Sequence, residues 1–152
     1  MIIWLASYPR SGNTLLRTIL NRVYGAKSYS KSNDKTDIGQ SPDTAAAVGH
    51  IDYQGPWNEA YEAFSKSTQT YFVKTHDAPE DDSAAIYIVR NGIKALVSNY
   101  HYWKDFNNKI LPFEDLILGT QTPFPSWGGH LDAWRPDKRS RTLVLRYEDL
   151  IA

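Results

Sequence analysis

A short apolar run, a tight polar turn and an amphipathic stretch open the chain, and this triple most narrows the folds open to it. Ile2-Ile3-Trp4-Leu5-Ala6 is almost continuously apolar and ends at the turn signal Tyr8-Pro9. Runs of that kind suit a strand covered on both faces, as in a parallel sheet. Past Ser11-Gly12-Asn13, the residues Leu15, Leu16, Ile19, Leu20 and Val23 recur at helical spacing, and Gly25 is the expected stop. Strand, tight loop and helix in that order make the first unit of an α/β protein.

The alternation resumes downstream. From Ala26 to about Pro56 the chain is rich in Ser, Asp, Lys and Gly and reads as a long excursion with one helical turn around Asp43–Val48. Asn58–Phe64 is expected as a short helix, and Thr70–Lys74 and Ala85–Val89 as strands. Asn91 suits the N-cap of a helix with apolar positions Ile93, Leu96, Val97 and Tyr100. Phe113–Leu118 and Trp127–Trp134 read as helices and Thr142–Arg146 as a last strand. The expected architecture is α/β, a mostly parallel sheet flanked by helices in three layers. The chain stops at Leu150-Ile151-Ala152, directly after a strand and an acidic pair, so a C-terminally truncated single domain over 1–152 is expected.

Composition bounds the function. At 152 residues the chain can bury a core, and its 41% hydrophobic and 22% charged content is that of a globular protein. Seventeen basic residues balance seventeen acidic ones, so no global field marks a nucleic-acid or membrane-surface binder, and any anion site must be local. Without cysteine there are no disulfides and no thiolate metal sites. Met1–Leu5 is too short for the apolar region of a signal peptide, and no apolar stretch approaches the roughly 20 residues of a membrane span. A cytoplasmic enzyme is the expectation.

The turn Tyr8-Pro9-Arg10-Ser11-Gly12-Asn13-Thr14 sits where an α/β nucleotide protein keeps its phosphate loop. Helix-start amides and the helix dipole favour an anion there, Arg10 adds a fixed charge, and Ser11, Asn13 and Thr14 add neutral donors. Taken alone, the seven residues equally describe an ordinary turn capped by Ser11 or Asn13. They do not have the spacing G-x-x-x-x-G-K-[ST], because Asn13 follows Gly12 and the basic residue precedes it. Mg²⁺-dependent ATP or GTP chemistry is disfavoured accordingly.

Four segments together carry a resemblance. Tyr8-Pro9-Arg10-Ser11-Gly12-Asn13-Thr14 resembles the 5′-phosphosulfate loop, Y-P-K-S-G-T-T-W, of sulfotransferases that use 3′-phosphoadenosine 5′-phosphosulfate (PAPS). Phe72-Val73-Lys74-Thr75-His76 resembles that family's K-T-H segment. Tyr87-Ile88-Val89-Arg90-Asn91, continued by Val97-Ser98-Asn99-Tyr100-His101, resembles its 3′-phosphate motif. Trp127, His130 and Trp134, with Leu143 through Leu150, resemble the helix and strand ending in Y-E-D-L. The order of the four is the family's own.

The resemblance implies a fold like that of the P-loop nucleoside triphosphatases, PAPS as co-substrate, no metal, and a small-molecule hydroxyl or amine acceptor. It allows a homodimer and implies no nucleic-acid or membrane partner. It places Arg10 on the 5′-phosphate and bridging oxygen, with Ser11, Gly12, Asn13 and Thr14 around that phosphate. His76 would be the general base, an assignment that suits an imidazole's ordinary pKa near 6.5. Lys74, two residues earlier and so on the same side of an extended strand, would hold the sulfonate or leaving phosphate. Arg90 and Ser98 would share the 3′-phosphate; eight helical residues span about 12 Å, so Arg90 would have to extend along the helix. Asn91 is assigned to capping. His101 and His130 are expected to pack or hydrogen-bond structurally, His50 is given no role, and Tyr147 is placed near the nucleotide.

Departures from the family pattern are also legible. Leu15 stands where a tryptophan often follows the loop, and Lys94 stands near a usual Asp. Asp77 follows His76 where larger relatives carry Leu-Pro, and a carboxylate there is expected to raise the imidazole pKa or alter acceptor choice. The closing R-K-G-x-x-G-D-W segment is absent, so little activity is expected of the 152 residues alone. Two other readings stand beside this one: a kinase-like P-loop nucleotide protein, and a non-catalytic nucleotide-binding module. Residues 26–69 are expected to form much of the acceptor pocket.

Overall fold

The opening apolar run becomes the middle of a parallel sheet. In a computed structural model, which describes residues 1–32, 41–106 and 111–152, Ile2–Ser7 forms β1, and the periodic stretch behind the loop forms helix α1, Asn13–Tyr24. Gly25 closes α1 in the left-handed conformation at φ 64°, the stop expected of it. Strands β2 (Ser28–Ser30), β3 (Tyr71–Thr75), β4 (Ala84–Val89) and β5 (Thr142–Arg146) complete a five-stranded sheet in the order β2-β3-β1-β4-β5. Every pairing is parallel. The helices between them are α2 (Pro42–Ala47), α3 (Trp57–Lys66), α4 (Gly92–Phe106), α5 (Phe113–Leu118), α6 (Trp127–Trp134) and α7 (Tyr147–Leu150).

Two elements escape a reading of local pattern. Ser28-Tyr29-Ser30, inside the excursion read as irregular, is an edge strand in register with Phe72–Lys74. Its polar alternation carries no strand signal of its own; parallel pairing to β3 and the Ser28 hydroxyl's bonds to Arg17 and Val48 hold it. Helix α7 is a single turn whose sequence Tyr-Glu-Asp-Leu is too short for any periodicity.

The sheet buries both faces, which is why β1 reads as unbroken apolar sequence. One face packs Trp4, Val73, Tyr87, Phe64 of α3 and Trp134 of α6; the other packs Leu5, Ile88 and Leu16 of α1, with Tyr147 and Leu150 of α7 against them. Burying each such side chain contributes about 2 kcal/mol. A polar knot closes the first face: Asp81 accepts from Trp4 Nε1 at 2.8 Å, from the Tyr61 hydroxyl at 2.7 Å and from the Ser83 amide at 2.8 Å. Because all strands run parallel with β1 central, the loops after β1, β3, β4 and β5 all emerge at one edge, where open α/β sheets place their ligands. Among the described residues no helix is long and apolar enough to cross a membrane.

Candidate active site

That edge carries a cleft of about 810 Å³. The loop after β1 supplies Arg10, Gly12, Asn13 and Thr14; the end of β3 supplies Lys74, Thr75, His76 and Asp77; Arg90 follows β4 and Tyr147 follows β5. Parallel register makes the convergence, with Ala6 opposite Thr75 and Ser7 opposite Ile88.

The first loop is built around Gly12. Its φ of 105° lies in the left-handed region, and a Cβ there would come within 2.5 Å of the Tyr147 ring. Only glycine lets the ring and the loop meet. Gly12 is also the N-cap of α1, with no side-chain hydrogen bond to the cap, so neither Ser11 nor Asn13 fills the helix start. Asn13 Nδ2 instead donates back to the Leu5 carbonyl at 2.8 Å and the Ser7 hydroxyl at 3.3 Å, tying α1 to β1. The first amides of a helix have no intrahelical partner, and here the residues that carry them, Asn13, Thr14 and Leu15, line the cleft. Ser11 is buried, its amide spent on the Tyr8 carbonyl at 3.2 Å; it lies under the loop rather than on the cleft wall.

His76 is held by a neighbour in β1. Its Nδ1 lies 2.7 Å from the Ser7 carbonyl, which can only accept, so Nδ1 carries the proton and the neutral ring keeps its lone pair on Nε2. The Phe124 ring meets the imidazole edge-on at 5.6 Å. Lys74 is buried beside it. Asp77 turns its carboxylate to Lys31 at 2.7 Å, and Lys31 also pairs with Glu80. Burial pulls the Lys31 pKa down, but the two carboxylates outweigh it and the net shift is upward.

At the second junction Arg90 and Ser98 are not brought together. Arg90 donates from Nη1 to the Arg10 carbonyl at 2.7 Å and lies over the Tyr147 ring at 4.4 Å. Those two contacts hold the guanidinium at the start of α4, so it does not run along the helix. Ser98 meets Arg10 instead, accepting from its Nε at 3.4 Å, while the Arg10 guanidinium sits 5.0 Å from the Tyr102 ring. Arg10 adopts φ 62°, costly for a side chain with a Cβ and typical of a functional loop. Asn91 caps as expected: its Oδ1 accepts from the Lys94 amide at 3.2 Å. The Asn91 amide donates in turn to Glu148 Oε1 at 3.0 Å, a partner 57 residues away that no local pattern signals.

Other sequence expectations sort themselves here. His130 is buried, its Nδ1 2.7 Å from the Tyr87 hydroxyl, and burial pushes its pKa down to about 4. His101 is exposed on α4, its ring edge-on to Tyr100 at 5.7 Å and its Nδ1 3.9 Å from Asp105. His50, given no role, bridges Arg17 and Asp52, each at 3.0 Å. Lys31 and Ser32 are the parts of the excursion that line the cleft, while residues 33–40 lie outside the described ones. Lys31, Phe124 and the Tyr102-Trp103 pair are cleft residues that motif reading misses.

The residues present fit a bound phosphoanion. Gly12 leaves the helix start without a side-chain cap, cationic Arg10, Lys74 and Arg90 surround it, and the buried Nε of Arg90 has no hydrogen-bond partner among the described residues.

Comparison with known proteins points the same way. The model of the sulfotransferase domain matches residues 2–152. Mouse (Mus musculus) sulfotransferase 1E1 is 26% identical over 164 residues, covering 96% of this chain and 52% of its own length. Human (Homo sapiens) sulfotransferase 4A1 is 25% identical, covering 97% of this chain and 54% of its own. The chain thus spans about half the length of the curated relatives it matches. Among solved structures, mouse sulfotransferase SULT7A1 complexed with PAP superposes with a TM-score of 0.64 at 23% identity, over 99% of this chain and 52% of that one. Retinol dehydratase in a complex with retinol and PAP gives 0.62 at 20% identity, over 99% and 55%. These likenesses establish the fold, that of the P-loop nucleoside triphosphatases.

Proposed function

The chain belongs to the sulfotransferase domain family, and we propose that it acts in sulfuryl transfer from PAPS to a hydroxyl or amine acceptor, with His76 as general base. The observation that carries the base assignment is the 2.7 Å contact between His76 Nδ1 and the Ser7 carbonyl. In the neutral ring that contact puts the proton on Nδ1 and makes Nε2 the basic nitrogen, the one suited to take the acceptor's proton.

PAPS, when bound, supplies the activated sulfuryl group; everything else is positioning and charge. The α1 amides with Asn13, Thr14 and Gly12 hold the 5′-phosphate, and Ser11 keeps the loop closed beneath them. Arg10 and Lys74 place positive charge where the leaving phosphate gains negative charge, Arg10 through a planar fork rather than a point charge. Arg90, from the second junction, holds the 3′-phosphate with Ser98, which requires Arg10 or Arg90 to release its present contact. Phe124 shields the imidazole from water on one side. The acceptor is a small molecule entering beside residues 31–32 and Phe124.

Calorimetry with adenosine 3′,5′-bisphosphate tests the donor site. Binding that weakens at least tenfold for adenosine 5′-phosphate is expected, because a charge-assisted pair contributes about 1.5–3 kcal/mol. Tight binding of ATP·Mg²⁺ with no response to the bisphosphate would replace this reading with a kinase-like one. For the base, His76→Ala should abolish turnover with PAPS while sparing bisphosphate affinity; undiminished turnover overturns the assignment.

A further inference from the structure

Strand pairing stops just before His76. The last paired residue of β3 is Thr75, opposite Ala6 of β1, and residues 78–83 beyond the turn form neither helix nor strand. The position of the His76 ring therefore depends on what fixes residues 76 and 77. The Asp77 amide donates to Thr75 Oγ1 at 3.0 Å, a local bond that moves with the turn. Its carboxylate pairs with Lys31 but is 44% exposed, and a pair that open holds little. Its carbonyl accepts from Trp134 Nε1 at 2.8 Å, a donor 57 residues away on a side chain buried in the core.

Helix α6, which ends in Trp134, is anchored along its length. At its start Trp127 lies so close to Gly92 that a Cβ there would meet the indole at 3.0 Å, and Ser126 Oγ accepts from the Gly129 amide at 3.1 Å. At its end the Trp134 ring packs 5.9 Å from Tyr87 and lies 5.2 Å from the Arg139 guanidinium. His130, one turn earlier, borders the same turn as Trp134: burial lowers its pKa, and the Asp77 charge and the His76 carbonyl act against that. A buried indole N–H needs an acceptor. Here the acceptor is the carbonyl next to the imidazole, so the bond that satisfies the core also sets the turn.

We propose that Trp134 is a positioning residue for His76: its indole N–H pins the Asp77 carbonyl and so keeps the imidazole Nδ1 on the Ser7 carbonyl, with Nε2 as the basic nitrogen. The proposal rests on the sulfuryl-transfer reading for what His76 does, and not for how it is held.

Nitrogen NMR of the imidazoles in the 1–152 chain, at about pH 8 where the ring is neutral, reads which His76 nitrogen carries the proton and needs no substrate. His76→Gln identifies the resonances. Nδ1–H is expected as the main tautomer of the unaltered chain. Trp134→Phe keeps a ring in the core and removes the N–H, so the ratio of Nδ1–H to Nε2–H should fall about tenfold, the worth of one neutral hydrogen bond. Phe64→Leu weakens the same core away from the turn and should leave the ratio within about twofold. Where Trp134→Phe does not fold, Trp134→benzothienylalanine replaces the N–H by sulfur at nearly constant shape, and the same fall is expected. Nε2–H as the main tautomer of the unaltered chain, an unchanged ratio in a folded position-134 variant, or an equal fall in Phe64→Leu overturns the proposal. Failure of the unaltered chain to bind adenosine 3′,5′-bisphosphate counts against the sulfuryl-transfer reading instead, and the tautomer ratio still decides the role of Trp134.

Discussion

Two strand-to-helix junctions lie side by side at the sheet edge, and they are finished in opposite ways. After β1, Gly12 caps α1 with no side-chain bond, and the first residues of the helix line the cleft. After β4, Asn91 Oδ1 accepts from the Lys94 amide and Glu148 accepts from the Asn91 amide, so the start of α4 is filled by the protein itself. The helix dipole favours an anion at both. What differs is whether a side chain occupies the anion position. An open helix start can receive a phosphate; a capped one cannot, and it contributes to the cleft through the side chain just before it, Arg90. Tyr147 ties the junctions together, touching Gly12 with its ring and carrying the Arg90 guanidinium on its face.

The contrast breaks most completely at Gly12. Gly12→Ala puts a Cβ into the Tyr147 ring at a left-handed φ, so the loop must shift, and affinity for adenosine 3′,5′-bisphosphate should fall about a hundredfold or more by calorimetry, roughly 3 kcal/mol. An affinity within a few-fold of the unaltered chain would mean that the open junction is not the phosphate site.

The strand feeding the second junction brings a pH dependence. His130, against Tyr87 of β4, has a folded pKa of about 4, below the ordinary imidazole value near 6.5. Between those values the unfolded chain binds the proton and the folded one does not, so stability rises with pH across that window and is lost as pH falls through it. The loss amounts to about 2–3 kcal/mol at pH 4. Urea unfolding of His130→Gln should lack that part of the acid slope. Asp81 adds a smaller acid loss at lower pH. Burial opposes its ionisation, but the donors Trp4, Tyr61 and Ser83 outweigh that and its pKa is lowered; the stability it gives is present above the ordinary carboxylate pKa and lost as pH falls through the folded one.

Arg90→Ala sharpens the comparison by removing what the capped junction offers. Bisphosphate affinity is expected to fall about thirtyfold, roughly 2 kcal/mol, while adenosine 5′-phosphate affinity falls much less. Equal losses for the two ligands would place Arg90 on the 5′ side. The smallest effect belongs to the cap: Asn91→Ala should cost about 1 kcal/mol in thermal or urea unfolding and leave bisphosphate affinity within about twofold. A large loss of affinity would make Asn91 a ligand.

Much of this was legible in the sequence because strand–loop–helix order, helical spacing and strand-end position are local properties. Periodicity marks α1 and α4, unbroken apolar runs mark β1 and β4, and motif order places Arg10, Lys74, His76 and Arg90 at strand ends. Once the strands are parallel, those residues have to share an edge. Tertiary structure alone decided the rest, since it depends on register between strands far apart in the chain. It set the protonated nitrogen of His76 through a carbonyl 69 residues away and turned Arg90 onto Tyr147 instead of along α4 toward Ser98. It made Ser28–Ser30 a strand through its neighbour β3, and gave Asp77 to Lys31 across the cleft wall. A residue's type and spacing fix what chemistry it can offer; which atom faces the cleft is set by partners that only the folded chain brings within about 3 Å.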